Sequence, residues 1–113
     1  MATLKRNSEV LTTELKIADN PWLRAKGLLG RESLPSDEVL WIKPCNNIHT
    51  FFMKFPIDVV FTDRNLKVVK VRRNVVPGRL ILPVWRASNT FECAVGFLDR
   101  HQIREGDQLH VGS

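Results

Sequence analysis

The order of apolar and polar residues along the chain predicts a mostly β domain. Short alternating segments are separated by Pro, Gly, Asn and Asp, a pattern that is typical of half-buried strands joined by turns. Strands are predicted at 9–18, 39–42, 57–62, 66–73, 80–85, 90–95 and 108–111. Six to seven short strands in 113 residues indicate an α+β fold that is mostly β, a small barrel-like or rolled antiparallel sheet.

One helix is predicted in the N-terminal half, and a single helical turn at 98–103. The Asp19-Asn20-Pro21 triplet supplies a capping side chain followed by proline at the first helical position. Apolar side chains then recur at spacings of three and four, on one helical face: Trp22, Ala25 and Leu29. Gly30 is the predicted end of this helix.

Length and composition predict one folded domain over residues 1–113, with residues 1–8 as a flexible N-terminal tail. Hydrophobic residues make up 43% and charged residues 26% of the chain, which argues against disorder. No apolar run approaches the roughly 20 residues that span a bilayer. The basic start lacks the apolar stretch of a secretion signal, so we expect a cytoplasmic protein, or an exported one if a signal was removed.

The net charge of +5 raises the question of nucleic-acid binding. One dense group of basic residues surrounds a predicted strand and the loop after it: Lys67, Lys70, Arg72, Arg73 and Arg79. No aromatic-plus-basic motif of an RNA-binding sheet accompanies it, and neither a zinc finger nor a helix-turn-helix is visible. The sequence therefore disfavours a nucleic-acid partner, and binding through a basic face is kept as a second alternative.

The two cysteines are expected to be free thiols. Cys93 alternates with apolar residues and is predicted to be buried, whereas Cys45 lies in a polar loop. A disulfide between them would require an oxidising compartment. Cys45 and His49 are four residues apart, so a hydrolase-like Cys/His pair is one enzymatic alternative.

Neither a metal nor a cofactor is predicted. Residues of ligating type are present, but their spacings match no recognised metal motif. These residues are His49, His101, His110, Cys45, Cys93 and Asp58.

Two carboxylates stand in apolar strands and require an explanation. Asp58 lies between Ile57 and Val59, where it is either a buried acid held by backbone N–H groups or by Arg24 or Arg31, or part of a site. Glu92 is flanked by apolar neighbours and must point to the opposite face, towards solvent or into a cleft. An Asp58/Glu92 pair doing general acid/base chemistry is the other enzymatic alternative.

Four sequence blocks resemble domain-of-unknown-function family 192, also called UPF0127, over roughly residues 11–111. The blocks are Arg24-x-x-Gly27-Leu28-Leu29-x-Arg31, the run from Thr50 to Phe61, Phe91-Glu92-Cys93-Ala94-Val95-Gly96 and Ile103-x-x-Gly106-Asp107. The resemblance implies a small, mostly β fold with one helix and no assigned activity. Phe52 and Val39-Leu40 depart from the common pattern of the family.

The polar and aromatic residues together favour a non-enzymatic binding or accessory module. We expect it to bind a small polar ligand, such as a carbohydrate, or a peptide segment, and to be a monomer. Hydrogen-bonding and stacking side chains are the candidate ligand-binding residues: Arg24, Arg31, His49, Phe52, Lys54, Asp58, Trp85 and Glu92. No catalytic residue is assigned.

Overall fold

The chain forms a curled seven-stranded sheet with two short helices, which confirms the mostly β fold. The structure, a computed structural model, describes residues 2–112. Its strands are β1 Ala2–Arg6, β2 Glu9–Ala18, β3 Glu38–Ile42, β4 Ile48–His49, β5 Ile57–Thr62, β6 Val68–Val75, β7 Leu80–Ile81, β8 Asn89–Ala94 and β9 Leu109–Gly112. Its helices are α1 Pro21–Lys26 and α2 Phe97–His101.

The main sheet has the order β6-β5-β8-β3-β2-β1-β9, and β4 and β7 pair separately as a two-stranded ribbon. The curl brings the starts of the two outer strands together. Val68 N–H donates to Asp107 O at 2.8 Å, and Leu109 N–H donates to Leu66 O at 2.9 Å. The sheet is therefore a curled half-barrel whose two outer strands meet at one end, through the bridge between Lys67 and Gln108.

One strand pair departs from the antiparallel pattern that the sequence predicts. β2 and β3 are parallel, with Leu15 opposite Val39 and Ile17 opposite Trp41. Parallel neighbours need a crossover connection, and residues 19–37, which include α1, supply it. This crossover places α1 beside the sheet and so determines where the candidate site lies.

The central strands are buried on both faces. All six residues of β5 are buried, so its two faces serve two separate apolar cores. The first core lies inside the curl and includes Leu4, Leu15, Val39, Val60, Phe91 and Leu98. The second lies beneath α1 and the ribbon and includes Leu28, Leu40, Ile48, Met53, Val59 and Phe61.

The N-terminal residues differ from the predicted flexible tail. Residues 2–6 form β1, which pairs with both β2 and β9, and Leu4 is 1% exposed in the first core. Arg6 ties this strand to the end of the chain, because its Nη1 donates to Asp107 Oδ2 at 2.9 Å. The prediction missed β1 because five residues with one core side chain give too weak an alternation.

The predicted helix and one predicted strand are shorter than the sequence suggested. α1 ends at Lys26, because Gly27 takes a positive φ of 49° and turns the chain. No side chain of α1 is buried, and Leu28, just after the helix, enters the core instead. The predicted strand at 80–85 is reduced to β7, since Pro83 cannot donate to a ladder. Within residues 2–112, neither helix has the length and hydrophobicity to cross a bilayer.

Candidate functional site

A pocket of about 610 Å³ opens between the C-terminal end of α1 and the loop that joins β3 to β4. Its polar lining comes from Arg24, Cys45, His49 and Glu92, and Met53 is among its apolar members. Three of the eight candidate ligand-binding residues, Arg24, His49 and Glu92, are therefore brought together here. The crossover that makes β2 and β3 parallel builds this pocket, because it lays the end of α1 over β8.

Glu92 is a buried acid at this pocket, and no residue in the described part of the chain donates a hydrogen bond to its carboxyl group. It lies on β8 between Leu40 of β3 and Val59 of β5, and is only 4% exposed. This desolvation raises the pKa of Glu92 from 4.5 to about 7. The carboxyl group is thus costly to ionise unless something enters the pocket and pairs with it.

Gly27 leaves open the space beside this carboxyl group. A Cβ atom at position 27 would lie 3.8 Å from Glu92 Oε1 and 3.9 Å from the carbonyl oxygen of Arg24. Two acceptor oxygens therefore border the same side of Gly27. Gly27 is not among the site residues that the sequence predicts, although a glycine within a predicted helix was the available signal.

Arg24 contributes a donor that the protein leaves unused. Its Nη1 donates to the carbonyl oxygen of Pro44 at 3.2 Å. Its Nε is buried without a hydrogen-bond partner, and it is the only side-chain atom so found among residues 2–112. A buried donor without a partner carries a desolvation cost that an acceptor on a ligand would relieve.

Cys45 and His49 share the pocket but do not form a nucleophile–base pair. The Cys45 thiol donates to the carbonyl oxygen of Asn47 at 3.0 Å. The His49 ring stacks on Phe51 at a centroid distance of 5.2 Å. Cys45 and Cys93 are both free thiols, and burial raises the pKa of the Cys93 thiol.

Asp58 lies away from the pocket, on the opposite face of the sheet from Glu92. Its Oδ1 accepts from the backbone N–H of Asn74 at 2.9 Å. Its Oδ2 accepts from the N–H groups of Gly96 at 3.0 Å and Leu98 at 3.2 Å. Of the two structural alternatives that the sequence left open, backbone N–H donors are the one observed, and the alternative of Arg24 or Arg31 is wrong. An Asp58/Glu92 pair is also ruled out, because neighbouring strands direct the two side chains to different cores.

Two further candidate residues are used in ion pairs outside the pocket. Arg31 forms a bidentate pair with Glu38, at 2.6 and 3.0 Å. Lys54 Nζ lies 2.6 Å from Glu32 Oε1. Neither residue lines the pocket.

The two candidate aromatic residues are exposed but do not line the pocket either. Phe52 is 90% exposed, in a turn where its φ is 66°. Trp85 is 87% exposed and borders a separate groove with Lys67 and Lys70. Of the other basic residues, Arg73 pairs with Asp99 at 2.8 Å.

Residues of metal-binding type do not cluster. Among residues 2–112, no group of three His, Cys, Asp or Glu side chains is arranged to hold a metal ion. The pocket offers one carboxyl group and one thiol, and its remaining polar side chains carry a guanidinium, an ammonium, an imidazole, a hydroxyl and two amides. Its chemistry suits hydrogen bonding and ion pairing with an organic ligand.

Known structures share this fold. A protein of unknown function from Novosphingobium aromaticivorans matches with a TM-score of 0.82 and 22% identity, over 96% of this chain and 82% of its own. A protein described as a putative transcription regulator from Sinorhizobium meliloti matches with a TM-score of 0.80 and 18% identity, over 97% and 91% of the two chains. At these identities the likeness shows the fold alone.

Sequence relatives identify the family. A UPF0127 protein of Thermococcus sibiricus is 32% identical over 93% of this chain and 70% of its own length. A UPF0127 protein of Pyrococcus horikoshii is 34% identical over 85% of each chain. The model of the family DUF192, described as "Uncharacterized ACR", matches residues 2–111. The chain therefore belongs to the DUF192 family, as its four sequence blocks predicted.

Proposed function

We propose that this protein is a binding module whose ligand-binding site is the pocket beneath α1. The ligand is a small polar molecule, such as a carbohydrate, or a segment of a peptide. The observation that carries the proposal is the buried carboxyl group of Glu92, which borders an open pocket without a hydrogen bond from the protein. A domain gains nothing in stability from such a group.

The unused donor of Arg24 supports the same conclusion. The pocket offers an acceptor at Glu92 and the guanidinium of Arg24, whose Nε is enclosed in the fold without a partner, beside apolar side chains such as Met53. Polar groups that converge beside apolar walls are typical of a ligand site. A ligand with both a donor and an acceptor would satisfy both groups at once.

The proposal is tested by amide chemical-shift perturbation with maltose and a set of tripeptides as probes. At least one probe is expected to shift the amide signals of Gly27, Asn47, His49 and Glu92 together, since all four residues line the pocket. The variant Glu92→Gln is expected to lower the affinity for that probe by about tenfold, because an acceptor of charge-assisted hydrogen bonds is lost.

Two matched variants serve as controls. Glu14→Gln makes the same chemical change on β2, away from the pocket, and should leave binding unchanged. Gly27→Ala and Gly30→Ala both replace a glycine of positive φ, but only the first places a methyl group near Glu92. Gly27→Ala alone should weaken binding. Equal effects of these paired variants, or shifts that avoid the pocket with every probe, would contradict the proposal.

A further inference from the structure

We propose that the pocket receives a primary ammonium group of a peptide, and that apolar residues of the same peptide lie on the exposed face of the β4–β7 ribbon. This inference rests on the proposed function and deepens it, because it selects the peptide over the carbohydrate. It depends on three features that lie side by side: the acceptors beside Gly27, the donor of Arg24 and the apolar face of the ribbon.

Two hydrogen-bond acceptors lie beside Gly27 at this pocket. Glu92 Oε1 and the carbonyl oxygen of Arg24 border the same side of Gly27. An ammonium group donates three hydrogen bonds and carries the charge that a buried carboxylate lacks here. The aliphatic stem that carries an ammonium in lysine also suits walls formed by Ile42, Ile48 and Met53.

The charged groups around Glu92 do not already satisfy it. Arg24 and Lys26 of α1 and His49 of β4 line the same pocket. Arg24 directs Nη1 to Pro44, and none of the three donates a hydrogen bond to Glu92. Arg24 Nε is enclosed in the fold without an acceptor, and the guanidinium that carries it lines the pocket, where the backbone carbonyl of a bound peptide would offer one.

The ribbon adds an apolar surface that continues from the pocket. His49, which lines the pocket, lies opposite Leu80 in the β4–β7 register and stacks on Phe51. Leu80 and Leu82 flank the buried Ile81 and are 56% and 70% exposed. We call His49, Phe51, Leu80 and Leu82 the ribbon face. A free sugar would leave this face uncovered, whereas apolar side chains of a peptide would cover it.

The test is isothermal titration calorimetry with matched probes. The main probe is the tripeptide leucyl-lysyl-phenylalanine, acetylated at its N-terminus and amidated at its C-terminus. A second probe replaces lysine with norleucine, which removes the ammonium and keeps the stem. A third lacks lysine but has a free N-terminus, so the second and third probes distinguish the two sources of ammonium. n-Butylamine alone is the minimal probe.

The lysine peptide or the free-N-terminus peptide is expected to bind at least about tenfold more tightly than the norleucine peptide, as the loss of a charged hydrogen bond implies. Glu92→Gln should remove this preference. Leu82→Ser should lower the affinity for the peptide several-fold without changing the affinity for n-butylamine. Val10→Ser, at an exposed position of β2, is its control and should change neither affinity.

Three results would overturn the inference. The first is an equal affinity for the lysine, norleucine and free-N-terminus peptides. The second is a preference for the ammonium peptides that remains in Glu92→Gln. The third is an affinity for n-butylamine as high as that for the best peptide. Maltose bound at Glu92, with no effect of any ammonium probe, would overturn the inference while leaving the proposed function standing. If no probe bound in the pocket, both the inference and the proposed function would be wrong.

Discussion

At the scale of single residues, the two buried carboxylates of this chain have opposite roles. Asp58 accepts three backbone hydrogen bonds and is satisfied within the fold. Glu92 accepts none from the described residues and borders open space. Both residues alternate with apolar neighbours in the sequence, so alternation alone could not separate them. The difference arises from what the rest of the chain places beside each one.

Asp58→Asn is expected to destabilise the protein by about 3 kcal/mol, because an amide nitrogen cannot accept and a buried backbone N–H loses its partner. Asp58 joins β5 to the end of β6 and to the start of α2, so its loss affects three elements. Urea unfolding measures the change. Asp19→Asn, at an exposed aspartate, is the control and should cost less than about 0.5 kcal/mol. Equal costs would contradict the structural role of Asp58.

Glu92 makes stability depend on pH in a defined direction. Its pKa is raised from 4.5 to about 7 by burial, so between these values the folded state binds more protons than the unfolded state. The free energy of unfolding should therefore fall as pH rises through this window, by roughly 3 kcal/mol in total. Glu92→Gln should remove this dependence, and urea unfolding at about pH 5 and about pH 8 compares the two proteins. If the free energy of unfolding changed equally in both proteins between these two pH values, Glu92 would not be desolvated in the folded state.

At the scale of elements, short segments determine the site. α1 has only six residues and buries none of them, so its contribution is to hold Arg24 and Gly27 over β8. Asn20 caps it, since Leu23 N–H donates to Asn20 Oδ1 at 2.8 Å. The cap and the proline were readable in the sequence. The early end at Gly27 was not, because Leu28 and Leu29 continue the helical spacing.

The first strand gives an element-scale prediction. Leu4 is 1% exposed and packs in the core inside the curl, between β2 and β9. Leu4→Ala should lower the free energy of unfolding by about 3 kcal/mol through the lost contacts and the cavity left behind. Val10→Ala, at a half-exposed position, is the matched control and should have little effect. If Leu4→Ala lowered the free energy of unfolding as little as Val10→Ala does, the result would support the predicted flexible tail instead of a packed β1.

At the scale of the whole molecule, local pattern predicts the sheet but not the pocket. Period-two alternation identified most strands of the sheet, because each strand carries its own apolar side chains. The pocket is assembled from α1, the loop before β4 and one residue of β8, segments that are far apart in sequence. Arg31, Lys54, Phe52 and Trp85 were equally plausible from residue type, and only the fold separates them from Arg24, His49 and Glu92.

The whole molecule also explains why the basic composition does not define a partner. Several Arg and Lys residues are used within the fold, as in the pairs Arg6–Asp107 and Arg31–Glu38. The first pair joins the two ends of the described chain, and the second joins residues seven apart in sequence; both leave fewer cations for a basic face. The buried groups without a hydrogen-bond partner are the Glu92 carboxyl group and Arg24 Nε, and both belong to residues that line the pocket. The account of this protein therefore depends on Glu92.

The most direct test is a measurement of the pKa of Glu92 by NMR, from the side-chain carboxyl ¹³C shift, with and without saturating leucyl-lysyl-phenylalanine acetylated and amidated at its ends. We expect a pKa of about 7 in the free protein and a clear fall when the ammonium binds, because the charged carboxylate then gains its partner. A pKa near 4.5 in the free protein, or one that the bound peptide leaves unchanged, would contradict it.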